Sequence, residues 1–522
     1  MSAEPSPRLA ARLLRAGPGR IALSTPAAAV LRHALAFGAG ALLACAFAPR
    51  GWWPLGLLSP AVLIGLWERA SARQAAWLGF WFGFGLFAVG TYWLYHAIHL
   101  DAPLWLALLA TLALMALMAG YHALTGYVIV RVFPAGPARW LLGAPGVWLI
   151  VEWLRGWLLS GFPWLTLGYT QTGTALANLA PLAGVYGISL VLLLSAGALV
   201  ALLRGSLRVR IIAAAVLVAP WLAAAGFGTI AWTHPSGRPV SVAIVQANIP
   251  QQEKWQDVHA ARILERYQRM TESAFGARLI VWPESALPDL VNNLFPYVAH
   301  LDRAARAHGS ALVLGVLRES SSGDYYNSIL ALGKRASWYD KSHLVPLVET
   351  IPLPRFVLRW LARMNLPSSS FTAGGTHQQP LPVGGLELGP TVCYEVAYGG
   401  YMLHMLPKAN ALVNVTDDAW FDDSSELDQQ FQMARMRSHE EGRYMIVATD
   451  DGISGVIGPR GQVIARAPAM RQVVLRSAVI PMAGMTPFAR VGNGLAVLLS
   501  SAALAAALAL RQLGRRRTMT PP

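Results

Sequence analysis

The chain is 522 residues long, 55% hydrophobic and only 13% charged, about half the ~25% charged share of an average globular protein. So little charge cannot cover a soluble surface of this size, which points to an integral membrane protein. The net charge is +15, but the basic residues are scattered through short loops between apolar runs, a mark of membrane topology rather than of a groove for nucleic acid.

In chain order, apolar runs near spanning length are predicted at 28–48, 52–67, 75–96, 103–130, 140–159, 178–203, 211–231 and 490–511, eight in all. The second is the shortest. Basic residues cluster at Arg8, Arg12, Arg15 and Arg20, at Arg69 and Arg73, at Arg131 and Arg139, at Arg204, Arg208 and Arg210, and at Arg515, Arg516 and Arg517. The intervening loops carry far less, mainly Arg50. Positive charge thus alternates as eight spans require, with both termini cytoplasmic and the long polar block on the far side. Leu42-Leu43-Ala44-Cys45 imitates a lipoprotein cleavage box. The segment before it is too long for a signal peptide of ~15–30 residues, so Cys45 reads as a helix residue.

The predicted domains are a membrane part at 1–232, an extramembrane domain at 233–488, and a last span with a basic tail at 489–522. In the middle domain, short β-rich runs appear at Val242–Val245, Leu279–Trp282, Ala311–Val316, Ser328–Leu332, Leu388–Cys393, Ala411–Val415 and Met445–Ala448. Helical patterns such as Val258–Phe275 and Tyr297–Ala307 lie between several of them, so an α/β layered domain is expected. No Gly-rich phosphate loop and no His/Cys set with metal spacing is visible in the sequence, so neither cofactor nor metal is expected.

Three strand ends carry reactive groups: Glu284 after Leu279–Trp282, Lys341 after Tyr339-Asp340, and Cys393 after an apolar run. Cys393 is one of two cysteines in the chain and has no partner within its domain. A thiol needs a base to become a thiolate, and a carboxylate kept from water can serve. The tetrahedral intermediate then needs a fixed donor at its oxyanion, which an ammonium and a backbone N–H supply. Glu, Lys and Cys on separate strands of one sheet would make a complete acyl-transfer set. Taken singly, each has a plainer reading: a loop carboxylate, a surface charge, a buried small hydrophobe.

Several motifs resemble the nitrilase superfamily and, with the spans added, its branch of bacterial apolipoprotein N-acyltransferases. They are Val245-Gln246-Ala247-Asn248-Ile249-Pro250-Gln251 with Lys254-Trp255, Trp282-Pro283-Glu284-Ser285-Ala286, Lys341-Ser342-His343-Leu344-Val345-Pro346 with Glu349, Cys393-Tyr394-Glu395, Asp418-Ala419-Trp420-Phe421, and Gln432-Met433-Ala434-Arg435-Met436-Arg437. In the membrane part, Glu152-Trp153-Leu154-Arg155, Gly161-Phe162-Pro163-Trp164 and Leu167-Gly168-Tyr169 are also similar. Four places depart from the pattern: Leu347-Val348 before Glu349, Asp417 where Asn is usual, Asp450-Asp451, and Ser424–Gln430.

The resemblance implies an αββα sandwich with a Glu284–Lys341–Cys393 triad. Cys393 would take the sn-1 acyl chain of a phospholipid, such as phosphatidylethanolamine, as a thioester. The α-amine of a diacylglyceryl-cysteine apolipoprotein would then receive it. The resemblance also implies a monomer in the bacterial inner membrane with its catalytic domain in the periplasm. Glu349, Tyr394, Glu395, Trp255 and Trp420 would support the site or bind substrate. Glu349 has a structural ion pair as its alternative, and the two tryptophans have core filling. Ile351–Leu366 mixes apolar residues with Arg355, Arg359 and Arg363; it reads equally as an interfacial arm or as a packed amphipathic helix. Glu152 and Arg155 read as a pair beside the site mouth, serving headgroup contact or bracing. Two rivals stand: a membrane-tethered amidase acting on a small amide, and a non-enzymatic transporter, which would need more polar residues deep in its spans.

Overall fold

The computed structural model describes residues 26–100, 102–346, 348–350 and 371–519. The first arginine cluster, Leu347 and the Ile351–Leu366 segment lie outside them. The membrane part is helical: α1 (Pro26–Ala44), α2 (Leu55–Trp67), α3 (Ala72–Gly90), α4 (Leu94–His99), α5 (Leu104–Val132), α6 (Ala144–Arg155), α7 (Ala180–Arg204) and α8 (Leu207–Phe227). Among the described residues, five helices are long and apolar enough to span a bilayer: α1, α5, α7 with its 3₁₀ lead-in from Ala175, α8, and a C-terminal helix. The expected count of eight is therefore not reached by that measure. Predicted run 52–67 is the 13-residue α2, run 140–159 holds the 12-residue α6 behind a π turn at Arg139–Gly143, and run 75–96 divides into α3 and α4.

α7 is buried along most of its length, whereas α8 buries only Ala213 and Ala224. The helix crossings rest on small residues, because lipid supplies no hydrophobic drive and close backbone approach must supply packing. Gly79 of α3 lies against the His122 backbone carbonyl of α5, and Gly126 of α5 against that of Ala75 on α3. Gly79→Ala is expected to lower stability in detergent by ~1–3 kcal/mol, since the added Cβ meets backbone that cannot yield. Gly120→Ala, at a position open out to 4 Å among the described residues, should be neutral or slightly stabilising. Thermal unfolding of the two variants side by side checks the contrast.

The extramembrane domain is built on two six-stranded sheets. The first contains β1 (Val240–Gln246), β2 (Leu279–Val281), β3 (Ala311–Glu319), β4 (Tyr325–Leu332) and β5 (Ala336–Asp340). The second contains β6 (Leu381–Val383), β7 (Leu386–Val392), β8 (Ala411–Thr416), β9 (Met445–Thr449), β10 (Gly455–Ile457) and β11 (Val463–Arg466). β12 (Val473–Val479) returns to the first sheet and pairs antiparallel with β1. Each sheet has a central parallel trio, β1-β2-β3 and β7-β8-β9. Parallel strands buried on both faces read as continuous apolar runs, which is why these were visible in the sequence.

Val242, Ile244, Val281 and Val313 of one sheet pack on Val392, Val413, Val415 and Ile446 of the other. α9 (Asp257–Ala274) and α10 (Phe295–Ala307) cover the outer face of the first sheet, around Ile263, Tyr267 and Leu301. α11 (Ser425–Glu441) covers the second, through Leu427, Phe431 and Ala434. The layer order is α-β-β-α, as expected. The last helix is α12 (Gly494–Met519).

α11 is also the joint between the two parts. Gln429 Nε2 donates to the Gly90 carbonyl at 3.0 Å, and Gln432 Nε2 to that of Tyr169 at 2.9 Å. Glu440 Oε1 accepts the Val185 N–H at 2.6 Å, where α7 is kinked at Gly184.

Candidate active site

The three reactive groups sit where strands end, but on two facing sheets rather than the one expected: Glu284 and Lys341 follow strands of the first, and Cys393 follows a strand of the second. β2 runs out at Val281, and Glu284 follows it with 6% exposure. Lys341 follows β5 and is 1% exposed. Cys393 opens a 3₁₀ turn, Cys393–Ala397, directly after β7, and its φ is +54°. A non-glycine residue in the left-handed region is strained and persists only where its surroundings fix it. Here Asn414 Nδ2 donates to the Cys393 carbonyl at 3.0 Å. Glu395 fixes the same turn from below: Oε2 accepts Val392 N–H at 2.8 Å and Tyr339 O–H at 3.0 Å. Its Oε1 accepts Ser342 N–H at 2.7 Å and His343 N–H at 2.9 Å. Glu395 thereby ties the cysteine turn to the lysine loop. Burial pushes its carboxyl up to about 7, against the pull of the N–H donors of His343 and Val392.

Lys341 Nζ lies 2.9 Å from Glu349 Oε1 and 3.6 Å from Glu284 Oε1. Asn327, on β4, bridges the two carboxylates: its Nδ2 donates to Glu284 Oε1 at 2.6 Å and to Glu349 Oε1 at 3.0 Å. The Val345 N–H holds Glu349 Oε2 at 2.8 Å. The sequence reading missed Asn327, because its strand began one residue later. A buried Asn inside the run Tyr325–Leu332 was the available signal. Glu349 thus pairs with the lysine directly and reaches Glu284 through Asn327.

Electrostatics follow from burial. Burial disfavours the charge on Lys341, yet Glu349 and then Glu284 outweigh it and hold its pKa above the ordinary lysine value. Burial raises the Glu284 carboxyl, with Lys341 opposing. Burial raises the Cys393 thiol well above its usual value, and the Glu284 carboxylate adds to this. The resting cysteine is therefore a neutral thiol beside a carboxylate of raised basicity, a pair suited to transferring a proton only as bond formation begins. The Lys341 ammonium lies 5.6 Å from the Tyr394 ring centroid, and Tyr394 O–H donates to the Leu344 carbonyl at 2.8 Å.

The departure at Asp417 has a partner. Lys254, fully buried, meets Asp417 Oδ2 at 2.6 Å and Asp450 Oδ2 at 4.0 Å. The Asp417 N–H donates to Glu284 Oε2 at 3.0 Å, so this ion pair stands directly behind Glu284. Trp255 directly follows Lys254, and Trp420 lies three residues after Asp417. Trp255 is 45% exposed and Trp420 half-buried, so neither fills the core.

Glu152 and Arg155 brace the membrane part. Arg155 Nη1 donates to the carbonyls of Phe162 and Trp164 at 2.5 and 2.6 Å, and Glu152 Oε1 accepts the Leu167 N–H at 2.8 Å. Both pin the loop after α6, and that loop meets the site. Tyr398 O–H donates to Gly161 O at 3.0 Å, and the His343 ring contacts Ser160 Oγ at 3.3 Å and Tyr401 O–H at 2.7 Å.

A sandwich with Glu, Lys and Cys gathered at its strand ends, carried on apolar helices, defines a membrane-bound protein with a carbon–nitrogen hydrolase catalytic domain. The carbon–nitrogen hydrolase family model matches residues 241–488, and the apolipoprotein N-acyltransferase N-terminal domain model matches 39–198. Three curated relatives carry the name apolipoprotein N-acyltransferase. The Azotobacter vinelandii protein is 41% identical over 90% of this chain and 94% of its own. That of Nitrosomonas europaea is 39% identical over 93% and 98%, and that of Methylococcus capsulatus 38% over 88% and 92%. Among solved structures, a Helicobacter pylori carbon–nitrogen hydrolase aligns with 46% of this chain and 88% of its own at 15% identity, with a TM-score of 0.35. The chain belongs to the apolipoprotein N-acyltransferase family.

Proposed function

We propose that this protein transfers the sn-1 acyl chain of a phospholipid to the N-terminal amine of diacylglyceryl-cysteine apolipoproteins, through a thioester on Cys393. The observation that carries the mechanism is the enclosed Glu284–Lys341–Glu349 cluster at the turn of a strained cysteine. Glu284 takes the thiol proton as sulfur attacks the ester carbonyl. The oxyanion forms against Lys341 Nζ and the Tyr394 N–H. Collapse breaks the bond to the sn-1 oxygen, Glu284 returns the proton, and a lysophospholipid leaves. The acceptor amine then attacks the thioester, gives its proton to Glu284, and Cys393 departs as the thiol. Glu349 and Asn327 hold Lys341 and Glu284 in register, and Glu395 and Tyr394 fix the turn. In this reading Trp255 and Trp420, neither of them core residues, contact the donor lipid.

In this reading residues 1–232 and 489–522 cross the bacterial inner membrane eight times, with both termini cytoplasmic and 233–488 periplasmic. The alternation of basic loops supports that topology. Phosphatidylethanolamine is the proposed donor, and the working unit is a monomer.

Intact-mass analysis of the purified enzyme incubated with phosphatidylethanolamine tests this. One fatty-acyl mass gained, removed by hydroxylamine or by a diacylglyceryl-cysteine peptide, is the expected result. No gain, with ammonia released from small amides instead, would replace this reading with a tethered amidase.

A further inference from the structure

A cavity of about 240 Å³ opens between the end of α8 and the catalytic domain. It stands apart from the reacting groups. The triad lies at the carboxyl ends of β2, β5 and β7, whereas Tyr444, which lines this cavity, precedes the amino end of β9. β7, β8 and β9 are parallel, so the two places lie at opposite ends of the second sheet. The proposed acyl transfer makes no use of it.

Three features of the cavity point to one kind of ligand. The first is its level. Phe227, the last residue of α8, and Ile230 three residues beyond it line the cavity, and the flank of α8 is apolar and outward-facing, with Ile211, Val218 and Leu222 all at least half exposed. A cavity at the end of a lipid-facing helix lies where headgroups lie. The second is its charge. Arg460 and His439 line the cavity, and among the described residues no carboxylate does. Burial and the neighbouring Arg460 hold His439 down to about 4, so Arg460 is the fixed charge. The catalytic site, by contrast, is crowded with acids. The third is donor supply. Arg460 Nη1 donates to Gly228 O at 3.0 Å, which orients the guanidinium across the α8 terminus with further N–H groups in hand. Tyr444 adds a hydroxyl, and Trp232 adds an amphipathic ring of the kind that favours the interface.

We propose that this cavity is a phospholipid site separate from the catalytic one, in which Arg460 holds the phosphodiester of a glycerophospholipid whose acyl chains lie along α8. A planar guanidinium matches phosphate oxygens, and the apolar flank of α8 accepts the chains. The bound lipid would sit in the joint between the last helix before the catalytic domain and that domain, and would stiffen it.

The test is intact-complex mass spectrometry of the delipidated full chain in detergent. The protein is titrated with dioleoyl phosphatidylglycerol, with dioleoylglycerol (the same chains without phosphate), and with inorganic phosphate. One tightly held phosphatidylglycerol is expected, bound at least tenfold more weakly by Arg460→Glu. Ala231 is exposed and lines the cavity, so Ala231→Trp should block it with the same loss and an unchanged melting temperature. This second variant keeps the test valid if Arg460→Glu does not fold. Equal retention by wild type and both variants would overturn the site. Dioleoylglycerol binding as tightly would show that only apolar surface is read. Displacement of the lipid by an equal concentration of inorganic phosphate would make it a free-anion site.

Discussion

Lys341→Met is expected to lower acyl transfer at least ~10³-fold and to destabilise the protein, whereas Cys393→Ala should abolish transfer with little change in stability. The two differ because of what each leaves behind. Removing the ammonium strips the oxyanion of its charged donor, an effect of ~10²–10³ in rate on its own. It also leaves Glu284 and Glu349 in a site where both carboxylates are at most 8% exposed. Uncompensated buried charge costs ~3–5 kcal/mol when one partner of a pair is removed. The Glu284 carboxyl, already raised by burial and held back by Lys341, rises further, so at neutral pH less of it is free to accept the thiol proton. Activity and stability therefore fall together. Cys393→Ala removes a neutral thiol and no charge, and costs about 1 kcal/mol or less. The measurement is mass-spectrometric detection of acyl transfer to a diacylglyceryl-cysteine peptide, paired with thermal unfolding. A Lys341→Met enzyme retaining a tenth of wild-type rate would remove Lys341 from the oxyanion role. An acyl adduct on Cys393→Ala would move the nucleophile elsewhere.

The parts of this molecule that were legible in the sequence are those whose residues answer to short-range chemistry. The parallel strands β2, β3, β8 and β9 were visible because burial on both faces demands unbroken apolar runs. Glu284 and Cys393 were visible because each breaks such a run at its end, whereas Lys341 follows the antiparallel, partly exposed β5 and was visible through the motif around it. The antiparallel edge strands β11 and β12 were not. Val463–Arg466 is largely exposed, and Val473–Val479 is mixed; such edges carry little pattern. Asn327 was hidden for a related reason: only the folded register of β4 brings its amide between two glutamates from other segments. The Asp417 departure looked like a loss of a motif residue. In the fold it gains the buried Lys254, a partner 163 residues away. The span count is the least legible part: five helices among the described residues are long and apolar enough to span, while α2 and α6 have 13 and 12 residues, and hydropathy alone does not distinguish such short helices from full crossings.

Arg437→Met is expected to lower stability by ~3–5 kcal/mol, and by more at alkaline than at acid pH. Arg437 is 1% exposed in the joint between α11 and the membrane part. It is ion-paired with Glu440, and its Nη2 donates to Tyr169 O–H at 3.2 Å. Tyr169 O–H in turn donates to the Ala397 carbonyl at 3.4 Å, at the end of the cysteine turn. One guanidinium thus connects the kinked α7, through Glu440 and the Val185 N–H, with the turn that carries Cys393. Burial raises the Glu440 carboxyl to about 7, with Arg437 opposing, and the adjacent Glu441 to about 8. A carboxyl whose folded pKa lies above its ordinary ~4.3 contributes stability that is complete below that value and lost as pH rises through the folded one. Without Arg437 both folded values rise further, and the ionised forms become costlier. The melting deficit of the variant should therefore be small near pH 5 and grow toward pH 8. Adding Glu440→Gln should recover part of it at pH 8, because Gln still accepts the Val185 N–H and carries no charge to strand. A deficit that is the same at both pH values, or a double variant no better than the single, would mean that Arg437 acts by packing rather than by charge. Acyl transfer in the same variant, measured at pH 5 where the joint holds, then reports whether the connection to Ala397 positions the nucleophile or only secures the domain.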